Sequence, residues 1–465
     1  MKFRTFFLFI TIIYLFSCNR EEFITDNTAK LEFSVDTVMF DTVFTTIGST
    51  TKSFKVYNRH KKYISISSII LAKGDNSNFR ININGISGNA KNIEIPPQDS
   101  MFVFVEVNVD PNRDEMIEQD SIVFITNGNA QDIDLVAFGQ DVNLVEGEII
   151  ESQTWTNEKP YLIYYYIAVD TLQTLTIEQG THIYFHKEAY MYVQGTLIVN
   201  GTIDEPVIFE GDRLEYLYED VPGQWGGIHF VIGTENNLIN YAEIKNATTG
   251  VRADSIVNFT NPTVTISNTR IENMSYAGIL GLGTSILCWN SVIANCGFYA
   301  IAIPIGGSYE FYHCTVSNNY EYGNRTESSI WLNNYYTVGA DVYIRPLDNA
   351  YFGNCIIYGN NRNEVGYSTK YASVGALNYK FDHCLLKIAD TTDISDTDHF
   401  ESIIKNLDPK FISIDDNNFQ LDTLSPAKDF GKIEFANFYP LDFNQENRLT
   451  IDNKPDLGAY ERVEE

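Results

Sequence analysis

Six stretches of this chain repeat one eight-position pattern, and no other feature restricts its fold as tightly. They begin at Ile239, Ile266, Cys288, Phe311, Phe352 and Phe381, separated by 27, 22, 23, 41 and 29 residues. A fixed period of this kind is the mark of a solenoid. Spacings of 22 and 23 correspond to one coil of a three-sided parallel solenoid, and the longer ones to coils with loops inserted. Position one is apolar or thiol. Position three is mostly Asn or His, at Asn268, Asn290, His313, Asn354 and His383. Position four is small, at Ala242, Thr269, Ser291, Cys314, Cys355 and Cys384. Position six is aliphatic, at Ile244, Ile271, Ile293, Val316, Ile357 and Leu386, and position eight is Asn at Asn246, Asn273, Asn295 and Asn318.

Positions four and six share a strand face, but positions one and four cannot do so on a straight strand. A bend at position three removes the conflict, because Asn tolerates the left-handed backbone that a bend requires. Equivalent positions then stack about 4.8 Å apart, with aliphatics inside and amides at the corners. Earlier coils are legible from Leu172 to Phe230, where Leu175 and Leu197 are 22 apart and Ile183, Phe185, Val193 and Val199 fit inward positions.

The stretches Leu175–Thr181, Gly195–Thr202 and Gly223–Ile228 resemble the opening of bacterial right-handed β-helix lipoproteins. Asp408-Pro409-Lys410-Phe411, Ser425-Pro426-Ala427 and Asp456-Leu457-Gly458-Ala459-Tyr460-Glu461 resemble the C-terminal module that closes many of them. Because a last coil exposes apolar interior and strand edge, capping is sufficient reason for this tail.

The N-terminus reads as an address. Lys2 and Arg4 precede an apolar run from Phe6 to Phe16, too short to span a bilayer of about 30 Å. Leu15-Phe16-Ser17-Cys18 resembles a bacterial lipobox, which implies cleavage before Cys18 and acylation of that residue. Asn19-Arg20-Glu21-Glu22 looks like the export signal of surface lipoproteins in the Bacteroidetes group. The implied location is the outer membrane, facing outward, with the membrane as partner through the lipid.

Between Leu31 and Val142 short alternating runs recur at Ser53–Tyr57, Phe79–Ile83, Met101–Val109, Ser121–Ile125 and Ile133–Phe138. Turn-rich pieces such as Pro96-Pro97-Gln98-Asp99 separate them, which predicts a β-sandwich. Gly48, Ile95-Pro96-Pro97, Val105–Pro111 and Leu135–Gly139 resemble immunoglobulin-like domains of the abnormal-spindle/Hydin type. The expected fold class is therefore all-β: an N-terminal immunoglobulin-like β-sandwich, then a right-handed parallel β-helix with a C-terminal cap. The expected boundaries are signal peptide 1–17, lipidated linker 18–30, sandwich 31–142, β-helix 143–400 and cap 401–465.

Chemistry is harder to find. A net charge of −29, from 32 basic and 61 acidic side chains, repels phosphate backbones and argues against nucleic acid. A lyase-like site needs stacked Asp residues holding Ca²⁺ beside a basic residue, and a hydrolase needs close carboxylates. The outward positions carry mostly Asn, Ser, Thr and Tyr, with scattered charges such as Glu243, Arg270, Glu272 and Asp382. No catalytic set and no metal set emerges. His182 and His186 fall about 13 Å apart along a strand, too far to share a metal. His313 and His383 take the bend position. The cysteines after Cys18 read as buried apolar fillers.

No cofactor is implied. Asp390, Asp393, Asp396 and Asp398 are the one group that invites Ca²⁺, but they lack an EF-hand pattern and read first as a solvated acidic loop. Two insertions remain. Asp212–Gly223 carries Glu215, Tyr216, Tyr218, Glu219 and Asp220; the 41-residue coil carries Tyr320, Tyr322, Trp331, Tyr335, Tyr336, Tyr343 and Arg345. Aromatic faces on such loops can stack on sugar rings, so Trp331, Tyr335, Tyr336, Tyr343 and Arg345 are the glycan-contact candidates. The function these residues favour is non-catalytic binding of, or adhesion to, an extracellular polysaccharide, glycoprotein or other surface ligand. The alternative is a polysaccharide lyase or glycoside hydrolase working in the β-helix groove.

Overall fold

The structure is a computed structural model that describes residues 22–45, 47–110, 116–254, 261–449 and 453–463. The expected export signal and Cys18 lie outside the described residues. The chain divides after Val142 into two compact units.

In the first unit strict alternation sets the layers. Along Ser100–Val107, Met101, Val103, Val105 and Val107 are buried while the residues between them face out. One five-stranded sheet contains Lys52–Tyr57, Ser100–Val107 and Phe79–Ile83, and the other contains Thr37–Phe44, Asn129–Gln140, Ile117–Thr126 and Ile64–Leu71. Thr37–Phe44 runs parallel to Asn129–Gln140, and the other described pairings in both sheets are antiparallel. The facing sides close over Phe40, Phe54, Val56, Ile66, Phe79 and Phe124.

The second unit is a parallel β-helix. Among the described residues, one continuous sheet of 26 strands winds through it, three strands to a coil. Register puts Ile244 on Ile271, Ile271 on Ile293, Ile293 on Val316, Val316 on Ile357 and Ile357 on Leu386. All six are buried, and each contributes about 1.5–3 kcal/mol by leaving water. Position one continues the column as a phenyl stack: Phe311, Phe352, Phe381 and Phe400 lie 4.9, 4.8 and 5.8 Å apart, nearly parallel.

The bend is where the repeat places it. Asn268, Asn290, His313, Asn354 and His383 have φ between 47° and 53°, and Tyr241 joins them at 47°. A second left-handed corner follows at Asn246, Asn273 and Asn295. Each coil thus has a first side such as Thr284–Trp289, a second such as Val292–Ala294 and a third such as Tyr299–Ile303. Among the described residues the five cysteines are free and buried. Cys314, Cys355 and Cys384 each lie 3.3–3.5 Å from the carbonyl oxygen two residues earlier.

The tail departs from the expected arrangement twice. Phe400–Lys405 still pairs with Lys380–Leu386 as a last coil, so the module begins after Lys405 and not at residue 401. Its contacts then run along the second side rather than across the column's end. Phe419, Ala459 and Tyr460 pack on Val292 and Ala294, while Leu421, Ala427 and Leu457 pack on Ile356 and Leu385. The reason is in the outward positions. They are charged at Glu243 and Arg270 but apolar at Val292, Ile356 and Leu385, and that stretch needs a cover. At the end of the column, Ile394 of the 389–399 loop packs on the core instead. Three of that loop's four carboxylates take hydrogen bonds within it or beside it. Asp393 accepts from the Ser395 N–H at 2.9 Å, Asp396 bonds the Asp398 N–H and the His399 ring, and Asp390 accepts from Asn406.

Candidate functional site

Two insertions of the second unit interrupt the chain at the corner between second and third sides. Asp212–Gly223 follows the strand Val207–Gly211. Residues 319–329 follow Thr315–Asn318, four coils further on. Between them lie the corners of the intervening coils, with Asn273 and Asn295 at their apices. The loops are therefore rooted roughly 19 Å apart by coil count and lean toward each other over a floor of corner asparagines. Residues 413–417 of the tail supply a side wall.

The resulting cleft has a volume of about 200 Å³. Asp220 comes from the first wall, Tyr320, Glu321 and Tyr322 from the second, and Ile414, Asp415 and Asn417 from the tail. Asn273, Asn295 and Asn319 make the floor. Amides of the corner row fix the first loop and the tail. Asn246 donates to the Glu219 carbonyl at 2.7 Å, Asn273 to Asp220 at 2.9 Å and Asn295 to the Asn417 side chain at 2.8 Å. Gln224 holds the first loop from beneath through the Tyr218 and Val221 carbonyls. Tyr322 is exposed at the rim, and Tyr216 and Leu217 are exposed on the first loop.

Charge surrounds this cleft. Arg270 donates to Glu272 at 2.6 Å and to the Asn417 carbonyl at 2.9 Å. Burial raises the Glu272 pKa despite that bond, and Asp220 and Glu243 push the same way. Burial works against the Lys245 charge, but Glu210, Glu243 and Asp220 outweigh it and raise its pKa. Burial and then the Asp220 charge raise the Tyr322 hydroxyl. Farther up the same side Glu210 bridges His182 at 2.6 Å and Lys245 at 2.9 Å. His186 instead pairs with Asp212, so the two histidines serve different carboxylates. Among the described residues no three His, Cys, Asp or Glu side chains gather as a metal ion needs.

The five sequence candidates lie outside this cleft, Trp331 on the third side and the other four on or beside one hairpin. The chain returns to the solenoid at Ile330–Leu332 and leaves again at the next corner as the hairpin Tyr335–Val338/Asp341–Ile344. Trp331 faces outward on the third side, its ring over Gly366, where any Cβ would approach to 2.9 Å. Tyr336 and Tyr343 stack across the hairpin at 5.0 Å. Tyr335, one residue away and so on the opposite face, packs on Tyr371 at 4.6 Å. Arg345 is exposed at the hairpin's base. The 41-residue coil holds two insertions at two corners, and only the first lines the cleft.

The family described as a pectate-lyase-like β-helix domain matches residues 147–255. What it matches is a fold. No curated protein matches this chain. Among solved structures, the catalytic unit of a thermostable GH87 α-1,3-glucanase from Streptomyces thermodiastaticus strain HF3-3 aligns at 11% identity. That alignment covers 72% of this chain and 74% of the other, with a TM-score of 0.34. A family 123 glycoside hydrolase from Clostridium perfringens aligns at 10% identity over 24% of this chain and 26% of that one, with a TM-score of 0.18. The chain thus spans about a quarter of the length of that hydrolase. Likenesses this slight leave the chemistry to the residues themselves.

Proposed function

We propose that this chain is a lipid-anchored protein of the bacterial outer surface that binds extracellular glycan without cleaving it, through the cleft between Asp220 and Tyr322. The observation that carries the reading is the convergence of three separate segments on one row of corner asparagines. Amides and carboxylates on the floor and walls suit sugar hydroxyls, and the tyrosines at the rim offer ring faces to sugar C–H bonds. Asp220, Glu321 and Asp415 around one small cleft, on a chain of net charge −29, repel uronic-acid polymers. A neutral glycan is the favoured ligand. The Cys18 lipobox supports anchoring.

A panel of neutral, amino-sugar and uronic-acid polysaccharides tests this, with product analysis on the same samples. At least one neutral polymer binds, and Asp220→Ala or Tyr322→Ala weakens it about tenfold, or 1.4 kcal/mol. Failure to bind any polymer, or preference for uronates, overturns the reading. Cys18→Ser should release the protein from the membrane fraction, and surface proteolysis of whole cells should remove the wild type.

One observation favours the hydrolase alternative. Glu272 keeps its proton to higher pH than an ordinary carboxylic acid, close to Asp220, and unequal carboxyl pairs serve as acid and base in glycoside cleavage. Arg270 occupies Glu272, however, which favours a positioning role. New reducing ends that disappear in Glu272→Gln would decide for hydrolysis.

A further inference from the structure

The tail leaves a second concavity on its other edge, at the corner between first and second sides of the same coils. This cleft of about 480 Å³ lies between Asn240, Tyr241, Trp289 and the tail residues Phe438, Tyr439 and Leu441. Its chemistry differs from that of the acidic cleft. Trp289 stacks on Tyr439 at 5.1 Å, and Tyr439 in turn stacks on Tyr312 at 5.3 Å, so the aromatic wall is rigid. Phe438 is 80% exposed and Leu441 44% exposed at its edge.

Two hydrogen-bond donors that line this cleft have no protein acceptor among the described residues, while Tyr241, Asn268 and Asn290 have theirs. Trp155 and Trp225 give their indole N–H groups to Gln153 and to the Lys245 carbonyl. Among the described residues Trp289 has no such acceptor. The Asn240 oxygen accepts from Ser267 and Asn268, which leaves its amino group without a protein acceptor among the described residues. Exposed aromatic surface beside unused N–H donors fits a ring that is apolar on its faces and carries hydroxyl acceptors around its edge.

We propose that this cleft is a second, shallower glycan subsite that takes a neutral pyranose ring of the polymer bound in the acidic cleft. The inference rests on the glycan reading above. In each coil the two corners are five residues apart, roughly 16 Å of extended chain, with the tail between them. One polymer can therefore engage both sites and gain avidity that a short oligosaccharide cannot.

The test compares wild type with Phe438→Ser and Trp289→Phe, using the full mature chain, a bound neutral polysaccharide and its disaccharide. Phe438 is so exposed that its loss leaves the fold intact. The expected result is a fall of about tenfold in polymer affinity for Phe438→Ser, with disaccharide affinity at the acidic cleft unchanged within about twofold. Millimolar disaccharide should also shift tryptophan emission in wild type and much less in Trp289→Phe. Equal polymer affinity for wild type and both variants, while Tyr322→Ala still loses it, overturns the second site alone. No binding of any polymer overturns both readings.

Discussion

Left-handed backbone costs a non-glycine residue about 1–2 kcal/mol, yet this chain adopts it at the first corner of coil after coil. Asn and His take most of these positions, because their short polar side chains tolerate the region better than branched ones. The tail meets this row with glycines, Gly431 against the Asn354 side chain and Gly458 at its backbone. Gly458 sits at φ 88° with its N–H on the Asn354 carbonyl at 2.8 Å, and an added Cβ would lie 2.6 Å from the Thr315 hydroxyl. The same hydroxyl accepts from the Ala459 N–H at 3.0 Å. Asp456-Leu457-Gly458-Ala459-Tyr460-Glu461 is thus a docking device for the flank, and its glycine is the point of closest approach. Gly458→Ala should destabilise the docked tail by about 2–3 kcal/mol through strain and overlap. Limited proteolysis should show faster cleavage within 407–449 while the sandwich stays resistant; unchanged cleavage would refute the role given to this glycine.

At the scale of elements, coils were legible from sequence and the things laid on them were not. Ile244, Ile271, Ile293 and Val316 form a local pattern with a short period, and stacking follows from strand geometry alone. The cover over Val292 and Ile356 comes from residues 65 or more positions away in the chain, and the Arg270–Asn417 and Thr315–Ala459 bonds span more than a hundred. Periodicity carries no information about such pairs. The site suffered for the same reason: Tyr320, Tyr322 and Asp220 stood out as insertion residues, but Asp415 looked like part of a cap. A buried ion pair shapes the second wall. Arg325 grips Glu364 through two bonds of 2.6 and 2.7 Å, both side chains are essentially unexposed, and Glu364 also accepts from the Ser329 and Asn361 N–H groups. Breaking the pair by Arg325→Ala should cost about 3–5 kcal/mol, since it strands a buried carboxylate. The double variant Arg325→Met/Glu364→Leu should recover little, because two backbone donors then lose their acceptor. Urea denaturation measures both, and hydrogen exchange over 319–329 should rise in each, together with loss of glycan binding as Tyr320 and Tyr322 lose their mount.

Across the second unit as a whole, the tail is fastened by charges that do not balance. Arg448 is buried among Asp442, Asp456 and Glu461, which puts three carboxyl groups around one guanidinium. Burial, reinforced by Asp456, pushes Glu461 up to about 8, and burial raises Asp442 and Asp456 as well. An acid whose folded pKa is raised gives stability that is complete below its unfolded pKa and is lost as pH climbs through the folded value. For Glu461 that window runs from about 4.5 to about 8. Groups shifted the other way do not mask it. Asp382, held low by His383, Lys432 and Tyr351 against the effect of burial, and Glu210, held low by His182 and Lys245, make contributions already complete above ordinary carboxylate pH. Docking of the tail should therefore weaken by on the order of 3 kcal/mol between pH 5 and pH 8.5. Glu461→Gln keeps an oxygen to accept from the Asp456 N–H and the Arg448 guanidinium but cannot ionise, so most of that slope should vanish. Hydrogen exchange of tail amides at pH 5.5 and 8.5, corrected for the intrinsic pH dependence of exchange, reads the difference directly. A flat profile in the wild type, or an equally steep one in Glu461→Gln, would show that the clamp closes by charge pairing alone. A slope confined to the wild type means that the strap between the two clefts is held by a proton as well as by Arg448.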